Sequence, residues 1–124
     1  VTSDRTMKKE INTLGEKDYA DYMQQIRNIE SATYRYNWEN NETREFPHVG
    51  FIAQSLPNTV TAKMNEKTDG TGRPTIGYNL SDMIGLSVMG IKAVDSKTTE
   101  LEALLKKQQE QIDALQKQLA ELKK

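Results

Sequence analysis

The sequence contains no cysteine, only three prolines and eight aromatic residues among its 124 positions. The lack of cysteine excludes disulfide bonds and thiolate metal sites. There is no apolar run of about 18 residues, so no membrane-spanning segment is expected. The charges nearly cancel, with 17 Lys and Arg against 18 Asp and Glu, which argues against a dedicated binder of nucleic acid or anionic lipid. The low apolar fraction of 35% predicts a hydrophobic core that is thin or shared between chains.

The chain changes character after Tyr78, because every aromatic residue and every proline lies at or before this position. From Ile91 to Lys124 there is no Gly, Pro or aromatic residue, and the strong helix formers Ala, Leu, Glu, Lys and Gln dominate. This composition predicts one long helix from about Ser81 to Lys124. We therefore expect an α+β fold with two units, a small mixed α/β globular part over residues 1–80 and a C-terminal helix over residues 81–124.

Apolar residues in the predicted helix recur at alternating spacings of three and four, which is typical of a coiled coil. With Ile84 taken as the first a position, nine of the twelve a and d positions are apolar, and the exceptions are Ser87, Thr98 and Gln108. A helix about 66 Å long, at about 1.5 Å per residue, extends beyond what the globular part can cover. The expected seam residues are Ile84, Ile91, Val94, Leu101, Leu105, Gln108, Ile112, Leu115, Leu119 and Leu122.

The exposed stripe of this helix needs a partner, and no turn after Gly90 allows the helix to fold back on itself. We therefore predict self-association, with Gln108 setting the register at some cost in stability. The pattern leaves two, three or four strands open. The alternative is a single solvated helix stabilised by pairs such as Glu102–Lys106, which contribute only about 0.3–0.5 kcal/mol each and leave the leucine stripe uncovered.

The globular part reads as short elements separated by turns. Tyr34, Tyr36 and Trp38 alternate with polar residues, which predicts a strand with these rings on its core-facing side; stacking on bases or sugars is the alternative. The predicted elements are a helix over Asp18–Ile29, a strand over Ala32–Trp38, an apolar run over Val49–Leu56, a strand over Thr59–Met64, a hairpin tip over Lys67–Pro74 and a strand over Thr75–Leu80.

Ser3 and Lys8 are the close pair of residues that suits a nucleophile and its base, provided that burial or a neighbouring cation favours the neutral amine. A spacing of five places two side chains about 140° apart on a helix and on opposite faces of a strand, so these two meet only across a turn or between chains. In the alternative, Ser3 or Asp4 caps a helical turn and Lys8 is a surface charge. His48 is the sole histidine and is more typical of a structural loop residue, and no set of metal ligands is apparent, so no cofactor is expected.

Three motifs occur in order along the chain: Ser3-Asp-Arg-x-x-Lys8, His48-Val-Gly-Phe-Ile-Ala-Gln54, and Tyr78-x-Leu80 leading into the coiled coil. With them the sequence resembles the C-terminal intramolecular chaperone and autoprocessing domains of phage tailspikes, tail fibres, neck appendages and endosialidases, the peptidase S74 family. The resemblance implies a parallel homotrimer that registers the upstream β-rich fibre of the same polypeptide for folding. It also implies release from the mature fibre by self-cleavage, in the host cytoplasm during virion assembly, with no nucleic acid, membrane or small-molecule partner.

The same resemblance implies residue roles for a self-cleaving serine endopeptidase that acts once, in cis or within the trimer. Ser3 is the processing serine, Lys8 its base and Asp4 their motif partner, while Arg5 and His48 support the motif and the cut falls at the Ser3–Asp4 junction. The chain departs from the family pattern at two positions, Thr6 and Glu10, where Arg and Asn are common. The alternatives are a non-catalytic coiled-coil trimerisation module and a glycan- or nucleic-acid-binding knob.

Ring size constrains which bond Ser3 can attack. Attack on its own carbonyl would close a strained four-membered ring, so scission after Ser3 needs another attacker, from a neighbouring chain or from water. Attack on the Thr2 carbonyl closes a five-membered ring and would cut before Ser3. The resemblance favours the Ser3–Asp4 bond.

Overall fold

The chain combines two small antiparallel hairpins with one short and one very long helix, and the computed structural model describes residues 2–68 and 74–124. Short 3-10 turns connect these elements at Arg5–Met7, Glu16–Asp18 and Ala53–Ser55. The helices and strands are α1 (Tyr19–Arg27), β1 (Ser31–Tyr34), β2 (His48–Phe51), β3 (Thr61–Thr68), β4 (Pro74–Tyr78) and α2 (Leu80–Leu122). The predicted mixture of α and β structure followed by a long helix is confirmed.

Each hairpin pairs two strands that are neighbours in sequence. Strands β1 and β2 pair from Ser31 opposite Phe51 to Tyr34 opposite His48. Strands β3 and β4 pair from Thr61 opposite Tyr78, with an irregularity between Met64 and Thr68. The antiparallel pairing of β3 with β4 agrees with the hairpin predicted there, although residues 69–73 of the predicted tip, Lys67–Pro74, lie outside the described residues.

The predicted strand over Ala32–Trp38 is too long, because β1 ends at Tyr34. The Glu39 side chain accepts a hydrogen bond from the Tyr36 backbone N–H at 2.7 Å, and the Glu39 N–H donates to the Tyr36 carbonyl at 2.9 Å. These two bonds close a turn that diverts the chain from the ladder. The core-facing role predicted for Tyr36 and Trp38 is therefore wrong, since they are 44% and 76% exposed.

The hydrophobic core is small, as the composition predicts. Its buried members are Leu56, Val60, Met83 and Leu86. Partly buried side chains pack around them from α1 and the residues just after it, from β2 and from the turn that follows β2: Tyr22, Ile26, Ile29, Phe51 and Ala53. The predicted apolar run Val49–Leu56 supplies part of this core through β2 and a 3-10 turn, but Val49 lies on the solvent side of its hairpin and is 84% exposed.

Helix α1 is shorter than the predicted Asp18–Ile29, and Asp18 does not cap it through its side chain. The Asp18 carboxylate instead accepts from the Gly15 N–H at 2.9 Å and stabilises the preceding 3-10 turn. The C-terminal half of α1 packs against the first turns of α2, where Ile26 lies over Gly90: a Cβ built at that glycine would lie 2.5 Å from Ile26 Cδ1. This contact fixes α1 against the base of the long helix.

Helix α2 is continuous over 43 residues, about 64 Å at about 1.5 Å per residue. It begins at Leu80 because the Asn79 side chain caps it, accepting from the Asp82 N–H at 3.1 Å, while the Asn79 N–H donates to the Val60 carbonyl. The long helix predicted from about Ser81 is thus confirmed. Among the described residues, no helix is both long and apolar enough to span a membrane.

Candidate functional site

A tight turn brings Ser3 and Lys8 together near the start of the chain. Lys8 Nζ donates to Ser3 Oγ at 2.6 Å. Between them lies the 3-10 turn Arg5–Met7, in which the Met7 and Lys8 N–H groups donate to the carbonyls of Asp4 and Arg5. The two side chains thus meet across a turn within one chain, which was one of the two arrangements that their spacing left open.

Asp4 and Thr6 hold this turn in place. The Asp4 carboxylate accepts from the Thr6 N–H and from the Thr6 hydroxyl, both at 2.8 Å. These bonds stabilise the charged carboxylate, so the pKa of Asp4 lies below its ordinary value of 3.8. Asp4 is therefore the N-cap of the turn, with Thr6 as its donor. Asp4 acts on the pair by shaping the turn, and Arg5 contributes its carbonyl.

The Ser3–Lys8 pair is open to solvent, as are all side chains from Thr2 to Leu14. The same segment exposes three apolar side chains, Met7, Ile11 and Leu14. A lysine serves as a general base when its amine is desolvated or lies beside another cation. The single chain therefore supplies the hydrogen-bond geometry of a nucleophile and base without the burial that this chemistry needs.

His48 belongs to a different cluster, at the start of β2. Its Nε2 atom lies 3.0 and 3.1 Å from the two carboxylate oxygens of Glu39. Its ring stacks on Tyr34 with centroids 5.3 Å apart and meets the edge of Tyr36 at 5.1 Å. These partners lie in the β1–β2 hairpin, so the contacts of His48 with Glu39, Tyr34 and Tyr36 brace that hairpin and do not involve Ser3 or Lys8.

Glu39 is the residue that the sequence reasoning missed. Its carboxylate accepts from the Tyr36 N–H and contacts His48, and these bonds together with the nearby Arg44 charge hold the pKa of Glu39 below its ordinary value of 4.5. The available signal was a carboxylate in the turn that leads to the sole histidine. Within residues 2–68 and 74–124, no three His, Asp or Glu side chains are grouped to hold a metal ion.

Tyr36 and Trp38 form an exposed aromatic pair on the same hairpin. Their rings are parallel within 2° and their centroids lie 4.6 Å apart. Tyr34 contacts the edge of Tyr36 at 5.4 Å and is the only one of the three rings that is partly buried. The hairpin therefore presents a flat aromatic surface to solvent.

The heptad seam of α2 is exposed along its whole length. Each apolar seam side chain is between 47% and 83% exposed, and Ser87, Thr98 and Gln108 are also exposed. The buried residues of α2 lie on another face: Met83, Leu86, Met89, Gly90 and Ala93. Since successive helical residues are rotated by about 100°, the a and d stripe is adjacent to the face that packs on α1 and distinct from it. The fold of one chain leaves the seam uncovered.

Comparison with known protein families identifies a match. The Peptidase S74 family model, described as the chaperone of endosialidase, matches residues 3–64, a range that begins at Ser3, includes Glu39 and His48 and ends within β3. No curated protein and no solved structure matches the chain. Because the matched range covers half of the 124 residues, the chain belongs to the Peptidase S74 family, the chaperones of endosialidase.

Proposed function

We propose that this chain is an intramolecular chaperone that joins three copies of a phage fibre protein, a tailspike, tail fibre or neck appendage, in parallel and in register. The observation that carries the proposal is a 43-residue helix whose heptad seam is exposed on every apolar position. Membership of a family of chaperones supports the role. The proposed step takes place in the host cytoplasm during virion assembly, and the upstream β-rich fibre of the same polypeptide is the client.

Joining the chains is useful because triple-stranded β-fibres depend on contacts between distant residues, whose loop-closure entropy must be overcome first. Three chains held at one end meet at an effective concentration in the millimolar range, and their register is set before the fibre winds. Cleavage then leaves a fibre whose unfolded chains no longer carry the device that assembled them.

Deletion in the parent protein tests the chaperone role. Removing residues 101–124 from the full-length chain takes away most of the seam, and we expect the yield of native fibre to fall at least tenfold, measured as protease-resistant trimer. Removing only residues 123–124, which follow the last helical residue, is the matched control and leaves the yield unchanged. Native fibre at normal yield after the larger deletion would contradict the proposal.

We further propose that the domain releases itself by cleavage beside Ser3, with Ser3 as nucleophile and Lys8 as base. The 2.6 Å hydrogen bond between Lys8 Nζ and Ser3 Oγ supports these roles. Once association of the chains desolvates the pair and favours the neutral amine, Ser3 Oγ attacks a peptide carbonyl carbon as Lys8 takes the hydroxyl proton. The C–N bond then breaks, Lys8 returns that proton to the leaving amine, and water hydrolyses the resulting ester.

The proposed cleavage junction is Ser3–Asp4, as the resemblance implies. Because Ser3 cannot reach its own carbonyl, this cut needs Ser3 of another subunit or a water as attacker. Attack within one chain reaches the Thr2 carbonyl and cuts before Ser3. The first residue of the released domain distinguishes the two routes, since it is Asp4 in the first and Ser3 in the second.

Expression with the natural upstream segment tests self-cleavage directly by intact mass. We expect the unaltered chain to be cut, and Ser3→Ala and Lys8→Ala to be cut at least about 100-fold more slowly. Lys9→Ala is the matched control, a neighbouring exposed lysine without a role, and it is cut normally. Cleavage that persists in Ser3→Ala contradicts the mechanism, and an uncut chain that still trimerises indicates a non-catalytic trimerisation module.

The exposed Tyr36–Trp38 pair supports a second candidate function, a glycan-binding knob, because flat aromatic faces stack on sugar rings. A glycan titration followed by Trp38 fluorescence tests it, with Trp38→Ala as the variant that loses binding and Phe46→Ala, another exposed aromatic residue, as the control. A fluorescence signal unchanged by any fibre-receptor glycan would remove this candidate.

A further inference from the structure

An open apolar groove of about 390 Å³ lies between α1 and the first turns of α2. Met23 and Ile26 form its α1 wall, and Leu86 and Gly90 form its α2 wall. Because Gly90 has no side chain, Ile26 packs directly on α2 and the α1 wall stands close to the heptad seam. The groove shares three lining residues with positions of the seam: Ser87, Ile91 and Val94.

The groove lies on one flank of the seam only. Met83 and Gly90 occupy g positions of the heptad, which places the groove on the g flank. The opposite flank is formed by e positions, and all but one of them are polar. The exception is Val88, which is 45% exposed. The e positions are Val88, Asp95, Glu102, Gln109, Gln116 and Lys123.

In a parallel, in-register coiled coil, a g residue faces the e residue five positions later on the neighbouring chain. This rule sets Met83, at the groove, opposite Val88 of the next chain. The same rule sets Lys97 opposite Glu102, which carry opposite charges. None of the six g-to-e pairs along α2 brings like charges together, so the register that fills the groove is also electrostatically favourable.

We propose that the groove between α1 and α2 receives Val88 of a second copy of this chain, so that α1 forms part of the subunit interface. The inference rests on the proposed parallel association and adds a contact outside the coiled-coil seam. Val88 buries apolar surface there that both chains otherwise expose to water. The contact also ties the globular part of one subunit to the helix of its neighbour, which limits the ways in which the three globular parts can be arranged.

A charge-pair experiment tests the contact in trans. Met23→Glu and Val88→Lys each place an uncompensated charge in the groove, and we expect each to raise the concentration for half-dissociation at least tenfold by sedimentation. The double variant Met23→Glu/Val88→Lys pairs the two charges across the interface and recovers most of the association. Ala20→Glu, an exposed residue on α1, is the control and associates like the unaltered chain.

The outcomes separate this inference from the proposed function. If Val88→Lys and Met23→Glu associate normally while a seam variant such as Ile112→Lys dissociates, the groove contact is wrong and the coiled coil stands. The groove contact is also overturned if both single variants dissociate and the double variant recovers nothing. If the unaltered chain is monomeric throughout, the proposed function and the groove contact are both wrong. Circular dichroism of each variant establishes that its helix content is retained.

Discussion

The two portions of helix α2 carry the same heptad repeat in different surroundings. Between Met83 and Ala93, one face packs against α1 and the core. From Lys97 to Leu122 every side chain is exposed. The packed portion uses residues outside the a and d positions, so packing within the chain does not account for the repeat in either portion. This is the reason for proposing that the repeat is a surface for another copy of the chain.

The energy of burial supports this conclusion. Fully burying a Val, Leu or Ile side chain stabilises a fold by about 1.5–3 kcal/mol, so nine exposed seam residues leave on the order of 10 kcal/mol per chain unrealised. Pairs of charges along a helix, at about 0.3–0.5 kcal/mol each, are too weak to offset this exposure. Among the described residues, α2 carries an ion pair between Lys97 and Glu100 at 3.8 Å, with both side chains exposed.

The largest expected effect comes from a substitution that disrupts association through the exposed portion of α2 and leaves the packed portion intact. In the proposed trimer, Ile112→Lys places three ammonium groups in one seam layer and removes the burial of three isoleucines. We expect association to weaken at least about 100-fold, since each 1.4 kcal/mol corresponds to tenfold. Sedimentation across a dilution series measures it. Ala114→Lys, two residues away and outside the seam, is the matched control, and equal weakening by both variants would contradict the seam.

A smaller effect, on the free energy of unfolding, distinguishes the open face of the packed portion at Gly85 from the face that contacts α1 at Gly90. Nothing lies within 4 Å of a Cβ built at Gly85, so Gly85→Ala should raise the free energy of unfolding by about 0.5–1 kcal/mol. At Gly90 the new Cβ would lie 2.5 Å from Cδ1 of Ile26, the flexible end of a side chain that must shift, so the clash offsets part of that gain and Gly90→Ala should stabilise the fold less than Gly85→Ala. Urea unfolding at one protein concentration measures the free energy of unfolding of both variants. Equal stabilisation by both variants would mean that α1 does not pack on Gly90.

The smallest effect concerns the β1–β2 hairpin alone. The pKa of Glu39 is lower in the folded chain than its ordinary value of 4.5, so below about pH 4.5 the unfolded chain binds more protons than the folded chain. The stabilisation is present above this pH and is lost as the pH falls through the folded pKa. We expect Trp38 fluorescence to report loosening of the hairpin in acid, and Glu39→Gln to remove this dependence. An identical acid transition in Glu39→Gln would assign the effect to other carboxylates.

The long helix was predictable because its signal is local and repeated. The stretch from Ile91 to Lys124 has no helix breaker and the same spacing of apolar residues recurs through several heptads. The meeting of Ser3 and Lys8 was predictable only as one of two arrangements, across a turn or between chains. The sequence also does not show whether Ser3 or Asp4 accepts the capping hydrogen bond. The hydrogen bonds from Thr6 to Asp4 decide this, and they form only once the turn has folded.

The aromatic hairpin was not predictable because alternation is the same in a strand that continues and in one that turns. Tyr34, Tyr36 and Trp38 follow one pattern, yet only the first lies in β1. The difference depends on Glu39, whose side chain takes the Tyr36 N–H that a longer ladder would use. The Glu39 side chain and the strand ladder thus compete for the same N–H group. The outcome depends on the geometry of the turn and on the contact of Glu39 with His48, nine residues away.

We propose above all that the exposed seam of α2 joins three chains. Sedimentation equilibrium of the unaltered chain at micromolar concentration tests this claim most directly. We expect a particle three times the chain mass of 14.1 kDa. A single species of 14.1 kDa at every concentration would contradict it.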